Sequence, residues 1–370
     1  MNIAIIGAGN LGTAIAADLG RNHEVKIYSS RPESFGKSLQ YIDEVTKVIH
    51  FGNVALVSND YKEVVFDAEL IFICLPTFLI KETVEKLIPF LQKDVKVGFV
   101  PGAGGIEYLS KELVDRKVPI FGFERVPYIS RVRDYGKSVC ASKKQHYRIA
   151  TIPSAEAISL AGVISELFEV PCDAMSQFIS ISLTPTLHTS RLYDLYKDYK
   201  EGDLLDVNPY FYGEWRDSAS EICLELDSEL HKVASSLEQK GIPTSELVPY
   251  SIHYESETPE LLTHKLCSIS SLSSIKGPLI ETTKGKYVVD LNSRYFTESF
   301  PYRLALVKGL ADICQISIPK TDEVLTWYSQ LAGKEYYMDG EFTGVDSYEC
   351  NIPRNYGIQT LTDLRDFYQA

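Results

Sequence analysis

The first twelve residues constrain the chain most. Asn2 to Ile6 is a short apolar run, and it leads directly into Gly7-Ala8-Gly9-Asn10-Leu11-Gly12. This is the GxGxxG spacing in the context where it works, after a strand and opening a helix over Leu11 to Leu19. Gly7 permits a tight turn, Gly9 lets the backbone approach a pyrophosphate, and Gly12 allows helix and strand to pack closely. The phosphates then rest on the positive N-terminus of the helix. A ligand-free glycine turn is the alternative. The strand–turn–helix order favours a dinucleotide site that also includes Asn10 and Leu11.

Alternation of short apolar runs with helical patterns continues through the first third, as in parallel βαβ units. Val25 to Tyr28 reads as a second strand. Leu70 to Leu75 reads as another, ended by Pro76, with a helix from Ile80 to Leu91 after it. Val95 to Val100, ended by Pro101, is a further strand, and Pro119 to Phe123 and Tyr147 to Ile152 follow. From about Ser154 longer amphipathic helices take over: Ala155 to Phe168, Ser218 to Lys240, Tyr302 to Cys314 and Asp322 to Leu331. The expected fold is α/β, a doubly wound Rossmann domain over 1–180 joined to a mostly helical domain over 181–370. A length of 370 residues suits two domains rather than one core.

With a net charge of -13, nonspecific binding to nucleic acid or an anionic membrane is disfavoured, so anionic ligands need local donors. The 7 cysteines show no CxxC pair, which points to reduced thiols in a cytoplasmic protein. No signal peptide is read, because Met1 leads straight into a strand. Apolar stretches such as Leu70 to Leu75 are too short for a membrane span. Histidine and cysteine spacings suggest no metal site. The oligomeric state is not readable from the sequence, and a homodimer is carried forward as the partner expectation.

The end of the second strand usually separates NAD from NADP. Here it reads Tyr28-Ser29-Ser30-Arg31, with no carboxylate until Glu33. Two hydroxyls and a guanidinium suit a 2′-phosphate, so NADP(H) is favoured over NAD(H). In the other reading Arg31 is a solvated loop residue and Glu33 turns in. Leu75-Pro76-Thr77 and Pro101-Gly102-Ala103-Gly104-Gly105 end later strands on the same carboxyl edge and are expected to line the nicotinamide side. The second glycine run reads equally as an ordinary turn.

Two segments of the second half are dense in polar groups. One is Thr184-Pro185-Thr186-Leu187-His188-Thr189-Ser190, and the other runs from Asp290 to Tyr302 through Arg294-Tyr295-Phe296-Thr297-Glu298-Ser299. On its own, His188 reads as a satisfied core histidine. The combination, however, resembles the opine dehydrogenases, the octopine/nopaline group, whose helical domain carries Pro-x-x-His and Arg-Tyr-x-x-Glu-Asp-x-Pro stretches. Gly333-Lys334-Glu335-Tyr336, Asp339-Gly340, Pro353-Arg354-Asn355-Tyr356-Gly357 and Phe123-Glu124-Arg125-Val126-Pro127-Tyr128 extend the likeness over nearly the whole chain.

The resemblance implies an NAD(P)H-dependent enzyme acting on the CH–NH group, which reductively condenses an amino acid amine with a 2-keto acid. It implies His188 as general acid/base and Arg294 as the clamp on a substrate carboxylate, with Thr189 and Glu298 beside the substrates. One position departs from the pattern. Ser299 stands where the family has the aspartate that charges the histidine, so the expected effect is a lower histidine pKa and a weaker dyad. Arg125 stands where octopine-specific enzymes carry a small hydroxyl. It suggests a more acidic substrate, or it pairs with Glu124 or a cofactor phosphate.

Two other functions are carried forward. One is a 2-keto acid reductase of the ketopantoate or glycerol-phosphate dehydrogenase type. The other, motivated by Ser299, is a catalytically weak cofactor-binding sensor.

Overall fold

The computed structural model describes residues 1–184 and 186–369, so Pro185 of the Pro-x-x-His stretch lies outside the described residues. The chain divides into two compact units, one of Met1–Ser182 joined by the residues from Arg365 on, the other of Leu183–Leu364. The sequence reading put the whole C-terminal segment in the second domain. The last turn belongs to the first unit because Tyr368 hydrogen-bonds the buried Glu107 carboxylate at 2.5 Å and the Tyr108 hydroxyl at 2.7 Å.

In the first unit, β1 (Asn2–Ile6) is followed by α1 (Asn10–Leu19) and β2 (Glu24–Tyr28). Next come β3 (Ser38–Asp43), β4 (Ile49–Asn53), β5 (Leu56–Ser58), β6 (Leu70–Ile73) and β7 (Lys96–Phe99). The remaining strands are β8 (Ile120–Phe123), β9 (Tyr128–Asp134), β10 (Ser138–Lys143), β11 (Tyr147–Ile152) and β12 (Cys172–Ala174). The main sheet has eight strands in the order β12-β11-β8-β7-β6-β1-β2-β5. Its pairings are parallel except β8 with β11.

From β1 the chain builds outward to β2 and β5, then returns to β6 on the other side. The strand order therefore reverses beside the loop after β1, where doubly wound sheets bind ligands. β1 from Ile3 on and the whole of β6 are apolar because both sheet faces are covered. Phe72, Phe121, Phe123, Tyr147 and Phe168 meet edge to face at 5.6–5.9 Å, with Phe72 and Phe123 tilted at 6.4 Å, joining the sheet to the helix Ala157–Phe168. Each fully buried ring contributes roughly 2–3 kcal/mol of apolar burial.

A second sheet, in the order β4-β3-β10-β9, was not foreseen. Asp18, on α1, ties it down by accepting from the Tyr128 hydroxyl at 2.5 Å and pairing with Lys143 at 2.7 Å.

The second unit is mostly helical, with a hairpin over Leu279–Thr283 and Lys286–Val289. Its long helix, Asp217–Gln239, packs beside helices His188–Tyr196, Pro259–Cys267, Ala305–Cys314 and Pro319–Ala332. The core includes Phe296, Phe300 and Tyr328, the last two stacked at 4.2 Å. The expected helix start at Tyr302 lies inside a π-helical turn over Phe300–Leu304, and the α-helix begins at Ala305. Among the described residues no helix is long and apolar enough to cross a membrane. Nor do they contain a group of three or more histidine, cysteine, aspartate or glutamate side chains placed to hold a metal ion.

Candidate active site

The glycine loop comes first in the chain and is built from backbone. Gly7 has φ +107°, and a Cβ there would lie 2.8 Å from the Cys74 carbonyl oxygen and from Leu75. At Gly12 a Cβ would fall 1.8 Å from the Gly7 carbonyl oxygen. At Gly9 it would meet nothing within 4 Å. Gly9 is also the N-cap of α1, and no side chain caps that end. The first-turn N–H groups of a ten-residue helix therefore face a space that no side chain fills. Such a cradle fits a pyrophosphate. Asn10 is exposed and its Oδ1 accepts from Val132 N at 2.8 Å, linking the loop to the second sheet. Leu11, Leu75 and Pro76 are half-buried around the turn.

At the end of β2, Ser29 is buried and its hydroxyl is shared by Tyr135 Oη at 3.1 Å and Arg31 N at 3.1 Å. The Arg31 guanidinium lies 4.1 Å over the Tyr135 ring. Ser30 and Glu33 are exposed. Tyr135, from the turn between β9 and β10, is part of this surface and was missed because the second sheet was missed. Arg125 is exposed after β8, and its neighbour Glu124 is held by Arg148 at 3.4 Å.

In the second unit, His188 opens the helix His188–Tyr196. Its Nδ1 lies 3.1 Å from Ser299 Oγ and its Nε2 lies 3.1 Å from Tyr212 Oη. The ring packs against Tyr295 at 4.4 Å and Phe211 at 5.9 Å. A neutral imidazole has one donor and one acceptor, so the two hydroxyls take opposite roles toward it. Burial, then the charges of Arg303 and Arg294, lower the His188 pKa to about 3. The low value was expected from the loss of a carboxylate; its causes are desolvation and two cations. Burial also raises the Tyr212 pKa, so that phenol stays protonated.

Ser299 is 1% exposed and occupies the N-cap position of the π-helical turn that follows it, without a capping bond from its side chain. Arg294 is exposed at the start of the short helix Arg294–Thr297, and Glu298 is half-buried at that helix's end. Thr189 is buried with its hydroxyl donating to the Thr186 carbonyl at 3.4 Å, turned into the chain rather than toward open space. The structure thus gathers His188, Ser299 and Arg294 in one place. It adds Tyr212 and Arg303, to which no role was given. The aromatic run Tyr210-Phe211-Tyr212 was the only sequence signal for Tyr212, and nothing marked Arg303.

A dinucleotide cradle on a doubly wound sheet, together with a helical unit holding a histidine between hydroxyls and guanidiniums, defines a nicotinamide-dependent dehydrogenase. Comparison with known proteins makes the class specific. The family "NAD/NADP octopine/nopaline dehydrogenase, alpha-helical domain" matches residues 174–332. The family "NAD-dependent glycerol-3-phosphate dehydrogenase N-terminus" matches residues 2–118. A tauropine dehydrogenase of Arabella iricolor is 25% identical over 98% of this chain and 99% of its own length.

Among solved structures, octopine dehydrogenase with NADH and L-arginine superposes with a TM-score of 0.85 at 20% identity, covering 98% of this chain and 97% of that one. NADP+-bound yersinopine dehydrogenase gives a TM-score of 0.66 at 13% identity, covering 100% and 99%. The chain carries an octopine/nopaline dehydrogenase helical domain, as its sequence resemblance implied, and is an NAD(P)-dependent dehydrogenase.

Proposed function

We propose that this enzyme joins an amino acid amine to a 2-keto acid and reduces the product to a secondary amine, with His188 as the proton carrier. The observation that carries this reading is the neutral imidazole held between two hydroxyls beside two guanidiniums. An amino acid arrives as an ammonium and must lose a proton before it can attack the keto carbon. A neutral imidazole is the form able to take that proton. The resulting imidazolium returns it to the hydroxyl of the addition product, which leaves as water and gives a C=N bond.

A substrate carboxylate would pair with Arg294, offsetting part of the positive field that adds to burial in keeping His188 neutral. Substrate binding therefore makes the imidazolium easier to form at the moment it is needed. When bound, the reduced nicotinamide supplies the two electrons and the hydrogen that saturate the C=N bond. Ser299 and Tyr212 hold the ring in place, and Glu298 belongs to the same pocket through its charge coupling with Arg303. Arg125 is assigned to the substrate side on the family resemblance.

For the cofactor we favour NADP(H). Arg31, resting on Tyr135, and the hydroxyl of Ser30 would meet a 2′-phosphate, while the carboxylate that would select a free 2′-hydroxyl is displaced to the exposed Glu33. A cytoplasmic setting suits the unpaired cysteines. The test is a screen of amino acids against 2-keto acids, following NADPH and NADH oxidation in parallel. Oxidation that requires both substrates is expected. Oxidation with a keto acid alone would make the enzyme a 2-hydroxy acid dehydrogenase instead.

A further inference from the structure

Two buried or half-buried arginines of the second unit are treated very differently. Arg191 is 1% exposed and has a partner at each guanidinium nitrogen: it donates to the Phe211 carbonyl at 2.9 Å, the Glu214 carbonyl at 2.6 Å and the Asp194 carboxylate at 3.2 Å. Arg303 is half-buried and, among the described residues, donates to the Thr184 carbonyl at 3.1 Å. The nearby charge that acts on it is that of Glu298. A guanidinium has five N–H donors in a planar fork, so most of the donor capacity of Arg303 is unspent. Burial outweighs the Glu298 charge and lowers the Arg303 pKa, so holding the cation here is costly until a ligand pairs with it.

Its position says where that ligand goes. The π-helical turn Phe300–Leu304 has Ser299 at its N-cap position and Arg303 near its end, so one local distortion positions both. π-Turns of this kind are frequently found at functional sites. Thr184, which Arg303 holds, lies just upstream of His188. Of the two cations acting on His188, Arg303 acts more strongly than Arg294. The carboxylates that every amino acid and every 2-keto acid carry are assigned to Arg294 and, on the family resemblance, to Arg125, so Arg303 is a further guanidinium.

We infer that Arg303 is a specificity-determining residue that binds a second acidic group on one of the two condensing substrates, so the enzyme selects a dicarboxylic partner. This rests on the proposed condensation. The fork of Arg303 donates to that carboxylate in a bidentate manner.

The experiment compares acids with their uncharged analogues on the cofactor-loaded enzyme. In the amine arm, glutamate and aspartate are compared with glutamine and asparagine at fixed pyruvate. In the keto arm, 2-oxoglutarate is compared with 2-oxopentanoate at fixed alanine. At least a tenfold kcat/KM preference for the diacid is expected in one arm, and the arm that shows it identifies the diacidic substrate. Arg303→Met should reduce that ratio about tenfold or more, mainly through KM, and Arg303→Lys should retain part of it.

A wild-type enzyme that takes amides and diacids alike overturns the inference, as does a fall in both activities that leaves their ratio unchanged. If no pair oxidises the cofactor, the proposed condensation is what fails. Calorimetric titration of the same acids and amides into the loaded enzyme then decides the inference by itself: a diacid preference erased in Arg303→Met supports it, and equal binding overturns it.

Discussion

The glycine loop and the His188 pocket are made by different means. The loop is a backbone device: Gly7 and Gly12 are needed because any side chain would strike a neighbouring carbonyl, and α1 presents N–H groups whatever its side chains are. The pocket is a side-chain device, and its chemistry changes whenever one residue changes. A backbone site tolerates divergence while keeping its ligand. A side-chain site of the same fold can be retuned by single substitutions such as the serine at 299.

The comparison predicts separable losses. His188→Ala removes the proton carrier and should lower kcat by about 10²–10⁴-fold while leaving cofactor affinity unchanged. Cofactor oxidation and fluorescence titration of NADPH check the two halves, and a loss of binding would mean that the two devices are not independent. Ser299→Asp puts an anion beside a ring whose pKa is about 3. A nearby carboxylate favours the imidazolium, so the acid limb of the kcat/KM profile should move to higher pH, by about one to three units. Turnover should rise if imidazolium formation limits the rate, and a fall would show a pocket rebuilt around serine.

Arg31→Ala should weaken NADPH about tenfold, the worth of one charge-assisted contact, and leave NADH nearly untouched. Equal effects on both cofactors would remove the proposed preference.

The smallest effect concerns Glu107, whose carboxyl is fully buried and pushed up to about 7 by desolvation, against hydrogen bonds from Ser182 and Tyr368 that lower it. Its folded pKa lies above the unfolded one. The folded state therefore binds more protons between about 4.3 and the folded value, and stability falls as pH rises through that window. The melting temperature of Glu107→Gln should decline less steeply than that of the wild type over this range.

How legible each region was follows from the range of its contacts. The loop could be read because all its constraints fall within a few residues of one another. β6 and β7 could be read because strands buried on both faces are apolar throughout. The second sheet could not: in Tyr128–Asp134 the buried positions Tyr128 and Ser130 alternate with exposed Ile129 and Arg131, a pattern that also fits a loop. His188 and Ser299 emerged only through family resemblance, since they meet across a sequence separation of 111 residues. Arg303 left no trace, because a half-paired arginine differs from a solvated one only in what surrounds it. Tyr368 was invisible for the same reason: a lone tyrosine in a terminal helix gives no hint that it reaches Glu107.

The π-helical turn at Phe300–Leu304 also bears on how such a pocket tolerates insertion and deletion. A π-turn amounts to an α-helix holding one extra residue, so a single deletion there would restore regular winding. Everything on one side would then rotate by about 100° relative to the other, the angle per residue of a 3.6-residue turn. Ser299 and Arg303 lie on opposite sides of such a cut and could not both keep facing His188. The pocket is therefore specified by a count of residues as well as by their identities, and a gap at this point in a relative would mark a differently built site.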